Sequence, residues 1–161
     1  MQKANSNRSY ASEISAHRGE DADKQNSKML ERQGMSVKID GYMRSAFDPD
    51  GDSLKNTGIE NQKEAIEKYA AEHFPGAVLK LYEDRGCSGY TFEQRESYQK
   101  MRTELLSGEV QILIVKDLSR FSRNIKLGLS EMKTLYNAGV HIISVDDNAE
   151  FPVTNTGKEI N

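Results

Sequence analysis

The chain has 161 residues, with 22 basic and 25 acidic side chains and a formal net charge of −3 at pH 7. That length suits one ordinary domain with a real core, and the charge balance excludes a generic polyanion coat, so any nucleic-acid contact has to be local. The single cysteine, Cys87, excludes an internal disulfide and a cysteine-based metal cluster; His17, His73 and His141 stand at no ligand spacing, so no metal is expected. No apolar run approaches the ~18 residues of a membrane span, and the polar N-terminus lacks a signal-peptide core. A cytoplasmic protein with no membrane partner is the expectation.

Residues 1–36 are rich in Ser, Asn, Gln, Lys and Glu and are expected to form a mobile polar tail. From 37 to 161 the pattern alternates strand and helix. Val37 to Ser45 reads as a first strand, and Asp48-Pro49-Asp50-Gly51-Asp52 as a loop with strong turn chemistry. Ile59 to Phe74 is an amphipathic helix with Ile59, Ile66, Tyr69 and Ala70 on one stripe, closed by Pro75-Gly76. A second strand, Ala77 to Tyr82, leads into the loop Asp84-Arg85-Gly86-Cys87-Ser88-Gly89. The second helix, Arg95 to Ser107, turns Tyr98, Met101 and Leu105 inward and ends at Gly108.

Val110 to Lys116 is β-branched and almost wholly apolar, as in a strand buried on both faces. A third helix uses Leu129, Met132 and Leu135 or Tyr136 and ends at Gly139, and Val140 to Val145 is the last strand assigned, with His141 in a structural role at its start. This alternation predicts an α/β fold with a mostly parallel sheet of four to five strands flanked by helices. In such folds ligands gather beyond the carboxyl ends of the strands.

Those ends carry a set of polar groups. Arg44 lies on the first strand, Ser88 follows the second, and Arg120 and Arg123 follow the third, within Lys116-Asp117-Leu118-Ser119-Arg120-Phe121-Ser122-Arg123-Asn124. Spaced three apart, Arg120 and Arg123 are expected to share one face of a first helical turn and to make a rigid phosphodiester site. Gln62, expected in the first turn of the first helix, and Arg95, at the start of the second, reach the same rim. No G-x-G-x-x-G or P-loop string argues for a nucleotide, so no cofactor is expected. An acidic cluster on the first strand, as a phospho-receiver needs, is replaced by Met43-Arg44-Ser45.

These segments, in this order, resemble the catalytic domain of the serine recombinases, the resolvase and invertase family that includes large transposon and phage recombinases. The matching pieces are Gly41-Tyr42-Met43-Arg44, Ile59-Glu60-Asn61-Gln62, Asp84 through Gly89, Arg95, and Lys116 through Asn124. The resemblance implies a serine that attacks a DNA phosphodiester, leaving a 5′-phosphoserine link and a free 3′-hydroxyl, with strand exchange in a tetramer that needs no metal or ATP. It implies that Arg44, Arg95, Arg120 and Arg123 bind the scissile phosphate and stabilise its transition state, with Gln62 and Ser88 as positioning groups. It also implies DNA and further copies of the chain as partners. The stretch 154–161 resembles the start of a long dimerising helix, so the chain is expected to stop short of that helix and of a DNA-binding domain.

The departures from the family pattern are as informative as the matches. In the family the first strand reads Tyr, any, Arg, any, Ser, and here that face carries Tyr42, Arg44 and Ala46. An alanine forms no phosphoester, so the chain is expected to be inactive as written, whether Ala46 is an engineered replacement or a natural one. Ser45 is adjacent, but strand alternation turns it to the other face, and it would serve only through a bulge or a one-residue shift. Ser119 stands where many relatives have aspartate, which leaves the general acid unassigned, and Asp117 on the same strand end is either a proton carrier or structural. The alternative to a recombinase domain is a non-catalytic DNA-complex or regulatory protein that keeps the phosphate-binding arginines and never cuts.

Overall fold

The computed structural model describes residues 36–46 and 56–151. The expected tail, the Asp-rich loop and the stretch 154–161 lie outside these residues. The described elements are β1 (Lys38–Arg44), α1 (Asn56–His73), β2 (Val78–Asp84), α2 (Glu96–Ser107), β3 (Ile112–Val115), α3 (Leu118–Phe121), α4 (Ile125–Asn137), β4 (His141–Ser144) and β5 (Ala149–Phe151). The strands form one five-stranded sheet in the order β2-β1-β3-β4-β5. The first four run parallel, and β5 adds to β4 antiparallel.

The sheet is covered on both faces, and β3 shows why its sequence is apolar throughout. Its residues Leu113 and Val115 point into one core with Tyr42, Tyr98, Met101, Leu105, Phe121, Met132 and Leu135, while Ile112 and Ile114 point into the other with Ile39, Met43, Ile59, Ile66, Tyr69 and Ala70. The first core includes α2, α3 and α4, and the second is covered by α1. The stripe expected on the first helix is buried as read, and Leu135 rather than Tyr136 is the inward residue of α4, Tyr136 being 47% exposed.

The sequence pattern did not assign β5, a three-residue strand too short for a periodic signal. It pairs with β4 through a backbone ladder and through His141, whose Nε2 lies 3.1 Å from Oε2 of the buried Glu150. Among the described residues no helix is long and apolar enough to cross a membrane.

A close approach fixes the residue at position 41. A Cβ on Gly41, in the middle of β1, would sit 2.7 Å from Leu81 Cδ2 and 2.8 Å from Ile66 Cγ2, so α1 packs directly on bare backbone there. We expect Gly41→Ala to destabilise the fold by about 1–3 kcal/mol through overpacking. Gly58→Ala, in α1 and with open space around the added carbon, should instead be neutral or stabilising by up to about 1 kcal/mol. Thermal melts of the two variants test this pair, and equal melting temperatures would contradict it.

Candidate functional site

β1 delivers Arg44 to the carboxyl end of the sheet, where its side chain is 1% exposed. Nε donates to the Arg120 carbonyl at 3.2 Å, Nη1 to that of Cys87 at 2.9 Å and Nη2 to that of Ser119 at 2.9 Å. Gln62 holds the strand end from the other side. Its Oε1 accepts the Arg44 amide at 3.0 Å, and its Nε2 donates to the carbonyls of Arg44 and Gly58 at 3.1 and 3.0 Å. The helix starts at Asn56, so Gln62 stands in its second turn and not in the first. It is fully buried on the apolar stripe rather than exposed on the rim.

Arg95 is the N-cap residue of α2 and makes no side-chain cap. It is 0% exposed. Its Nε, Nη1 and Nη2 donate to the carbonyls of Ser88, Phe121 and Gly89 at 3.2, 2.5 and 3.2 Å. The guanidinium carbon also lies 4.3 Å from the Phe92 ring centre, 5.8 Å from that of Tyr98 and 5.9 Å from that of Tyr42, an aromatic enclosure suited to a cation.

The expected sharing of one helical face by Arg120 and Arg123 does not occur. Helix α3 ends at Phe121, and Ser122 is extended at φ −157°, ψ 139°. Arg123 therefore falls between α3 and α4, where its amide donates to the Gly89 carbonyl at 2.7 Å. Its side chain is exposed, and its guanidinium has no hydrogen bond or ion pair among the described residues. Arg120 is 27% exposed, with Nη1 3.4 Å from the Arg44 carbonyl and Nε 3.6 Å from Asp117 Oδ2. Asp117 is the N-cap of α3, accepting the Arg120 amide at 3.2 Å and the Ser119 hydroxyl. Ser88 is exposed, and its hydroxyl oxygen accepts the Tyr90 amide at 3.1 Å.

Arg44, Arg95, Arg120, Arg123, Ser88 and Gln62 are thus brought to one end of the sheet, but with unequal access. Burial and the crowding of like charge both bear on Arg44. Burial, and then the charges of Arg95, Arg123 and Arg120, lower its pKa to about 10. At the exit of β1, Ala46 is exposed and Ser45 half-buried. The Ser45 amide donates to the Asp84 carbonyl, just beyond the continuous β1–β2 register that runs from Lys38 to Arg44.

Two residues that carry the site were not singled out from sequence. Asp84, at the end of β2, accepts the Tyr42 hydroxyl at 2.9 Å and the Ser97 and Tyr98 amides at 3.0 and 2.9 Å, so it caps α2 across space and ties it to β1. The available signal was a helix whose own N-cap is an arginine, preceded by a carboxylate at a strand end. Gly89 is the other: a Cβ there would meet Arg44 Nη2 at 2.7 Å and the Arg123 stem at 2.8 and 2.9 Å. Among the described residues no group of three or more His, Cys, Asp and Glu side chains is placed to hold a metal.

Buried and half-exposed arginines thus crowd the strand ends of a mostly parallel α/β sheet, and comparison with known proteins makes the class specific. The family described as resolvase, N terminal domain, matches residues 39–160. No curated protein matches the chain by sequence. Among solved structures, a resolvase family site-specific recombinase from Streptococcus pneumoniae is 28% identical with a TM-score of 0.59, covering 72% of this chain and 76% of that one. The N-terminal catalytic domain of TP901-1 integrase is 22% identical with a TM-score of 0.61, covering 73% and 84%. The C-terminal catalytic domain of the IS607-like serine recombinase ISC1926 TnpA shares the fold at 19% identity and a TM-score of 0.56, covering 68% and 70%. The chain belongs to the resolvase family of serine recombinases and carries that family's N-terminal catalytic domain.

Proposed function

We propose that the arginine cluster holds a DNA phosphodiester, and that the chain occupies the scissile-phosphate site of a recombination complex without cutting the strand. The observation that carries this reading is the concentration of like charge. Arg44, Arg95, Arg120 and Arg123 meet at the strand ends, where burial first and the neighbouring guanidiniums second depress the Arg44 pKa, so the site has the electrostatics of an anion receptor. In the reaction the family performs, a serine hydroxyl attacks phosphorus, the phosphorus–oxygen bond forms, and the 3′-oxygen leaves with a proton. The arginines would stabilise the charge on the equatorial oxygens.

The position that would supply the hydroxyl is Ala46, so the covalent half of this chemistry is withdrawn while the electrostatic half stays built. Gln62 fixes the backbone just before that position through both Arg44 peptide groups. We further propose that DNA is approached by more than one copy of the chain, as strand exchange requires.

Ala46→Ser is the direct test. With nicked half-sites from a randomised library, and with the domain joined to a recombinase DNA-binding region, the serine variant is expected to form a covalent 5′-phosphoserine adduct and the Ala46 form none. An adduct on the Ala46 form would overturn the assignment of the nucleophile position. Absence of an adduct from Ala46→Ser would favour the second reading, a regulatory DNA-complex protein, which the retained arginines and the missing hydroxyl also support.

A further inference from the structure

One exposed ring stands beside the arginine cluster. Tyr90 is 60% exposed, the most of any large apolar side chain among the described residues. Among those residues its ring meets no aromatic ring or cation and its hydroxyl makes no hydrogen bond, while its amide donates to Ser88 Oγ at 3.1 Å. A single exposed aromatic is ordinary on a protein surface. The backbone beneath this one is not. The three carbonyls before it are all taken: Cys87 by Arg44 Nη1, Ser88 by Arg95 Nε, and Gly89 by both Arg95 Nη2 and the Arg123 amide. The Cys87 amide donates to the Ser45 carbonyl, which ties the loop to the exit of β1. Two residues further on, Phe92 is buried against the rings of Tyr98 and Phe121. The loop is thus held on both sides of Tyr90, and the tyrosine, with few torsions of its own, loses little entropy on making a contact.

We propose that Tyr90 is a nucleobase contact, a stacking platform for an unpaired base beside the phosphodiester that the cluster holds. This assignment rests on the proposed phosphate site and adds the group that meets the base. Its place in the fold supports it. A Cβ on Gly89 would lie 2.8 and 2.9 Å from the Arg123 stem, so Tyr90 is one residue along the chain from direct contact with that arginine. The exposed Arg123 and the partly exposed Arg120 attract a polyanion to this end of the sheet. Nucleic acid is the polyanion that carries a flat, apolar face within reach of each phosphate, and an exposed aromatic ring is the surface such a face stacks on. In intact duplex both faces of a base are covered by its neighbours, and uncovering one costs free energy. Exchange of cut strands parts the base pairs at the break, so the ring gains its contact there and not on uncut duplex.

The test uses the full chain with a random-sequence duplex that contains a short single-stranded gap, the same duplex without the gap, and a gapped duplex whose gap sugars are abasic. The abasic gap keeps the phosphates and lacks the bases. Tyr90→Ala should lose about tenfold in affinity for the gapped duplex and less than about twofold for the other two. The slope of log K against log salt should stay as in the parent, because no phosphate contact is removed. Tyr90→Phe should bind like the parent, since stacking uses the ring. The chain has no tryptophan, so Tyr90→Trp supplies a single reporter. Its fluorescence should be quenched by the gapped duplex and left unchanged by the abasic gap and by inorganic phosphate.

Equal losses of Tyr90→Ala on all three DNAs, or a Trp signal indifferent to the bases while the DNA is bound, would overturn the stacking role and leave the phosphate site standing. A changed oligomeric state in Tyr90→Ala, with affinity for the gapped duplex unaltered, would assign the ring to a second copy of the chain and overturn it as well. Failure of the parent to bind any of the three DNAs would overturn the phosphate reading beneath it.

Discussion

Replacing Asp84 with alanine is expected to lower the melting temperature by about 10 °C or more, taking ~4 °C per kcal/mol for a domain of this size. The carboxylate accepts three hydrogen bonds, from the Tyr42 hydroxyl and from the Ser97 and Tyr98 amides. Both tyrosines are 0% exposed, so the Tyr42 hydroxyl and the Tyr98 amide are left without a route to water. Loss of a helix cap costs about 1 kcal/mol, and each buried donor left unpaired adds about 1–3 kcal/mol. A total of about 3 kcal/mol is the conservative sum. Asp84→Asn keeps an acceptor and the shape and should lose about half as much. Thermal circular dichroism reads the stability, and amide exchange at residues 97 and 98 locates it. A melting temperature unchanged by Asp84→Ala would show that α2 does not depend on this cap.

The second large effect is a dependence on pH that originates far from the arginines. Asp40 lies inside β1, opposite Lys80 on β2 and Leu113 on β3, and is 1% exposed. Its Oδ2 has no hydrogen-bond partner among the described residues. Burial, reinforced by Glu104 and opposed by Lys80, raises its pKa to about 7. The raised value sets the sign. Below about pH 4 the carboxyl is protonated in both states; between about 4 and 7 the unfolded chain ionises and the folded one does not, so stability falls as pH rises through this window and levels off above it.

The full difference amounts to at most about 4 kcal/mol, from 1.36 kcal/mol per unit. Lys80 and Glu104, joined by a 2.6 Å ion pair, and Tyr82 are the other titratable groups facing this position. Asp40→Asn should abolish the slope and raise stability at pH 8 relative to the parent. Denaturant midpoints at several pH values test it, and parallel profiles for parent and variant would exclude Asp40 as the source.

Much of the fold was legible because burial follows local periodicity. Ile59, Ile66, Tyr69 and Ala70 on α1, the two-sided apolar run of β3, and the shared face of Tyr42 and Arg44 were all readable from spacing. What the spacing could not show was where a donor finds its partner. Arg95 was legible only as the start of a helix, and its acceptors include the Phe121 carbonyl, 26 residues away, while rings from three segments surround it. Gln62 was read as a rim residue, and nothing in its spacing hints that it bridges both peptide groups of Arg44. Ser122 interrupts the helix where no proline or glycine marks a break. Its hydroxyl bonds the amide and carbonyl of Asn124 instead, a local competition that composition does not reveal.

The interruption at Ser122 also changes the backbone's own field. A helix running on from Leu118 would consume the amides of residues 123 to 127 in its ladder. Because the chain is extended at Ser122 and again at Asn124, α4 begins anew, with Asn124 as its N-cap and its side chain accepting the Leu127 amide. The positive pole of a 13-residue helix, equivalent to about half an elementary charge, therefore opens immediately after Arg123. A phosphate seated on Arg120 and Arg123 would meet peptide dipoles as well as guanidiniums, and the dipoles cannot be titrated away.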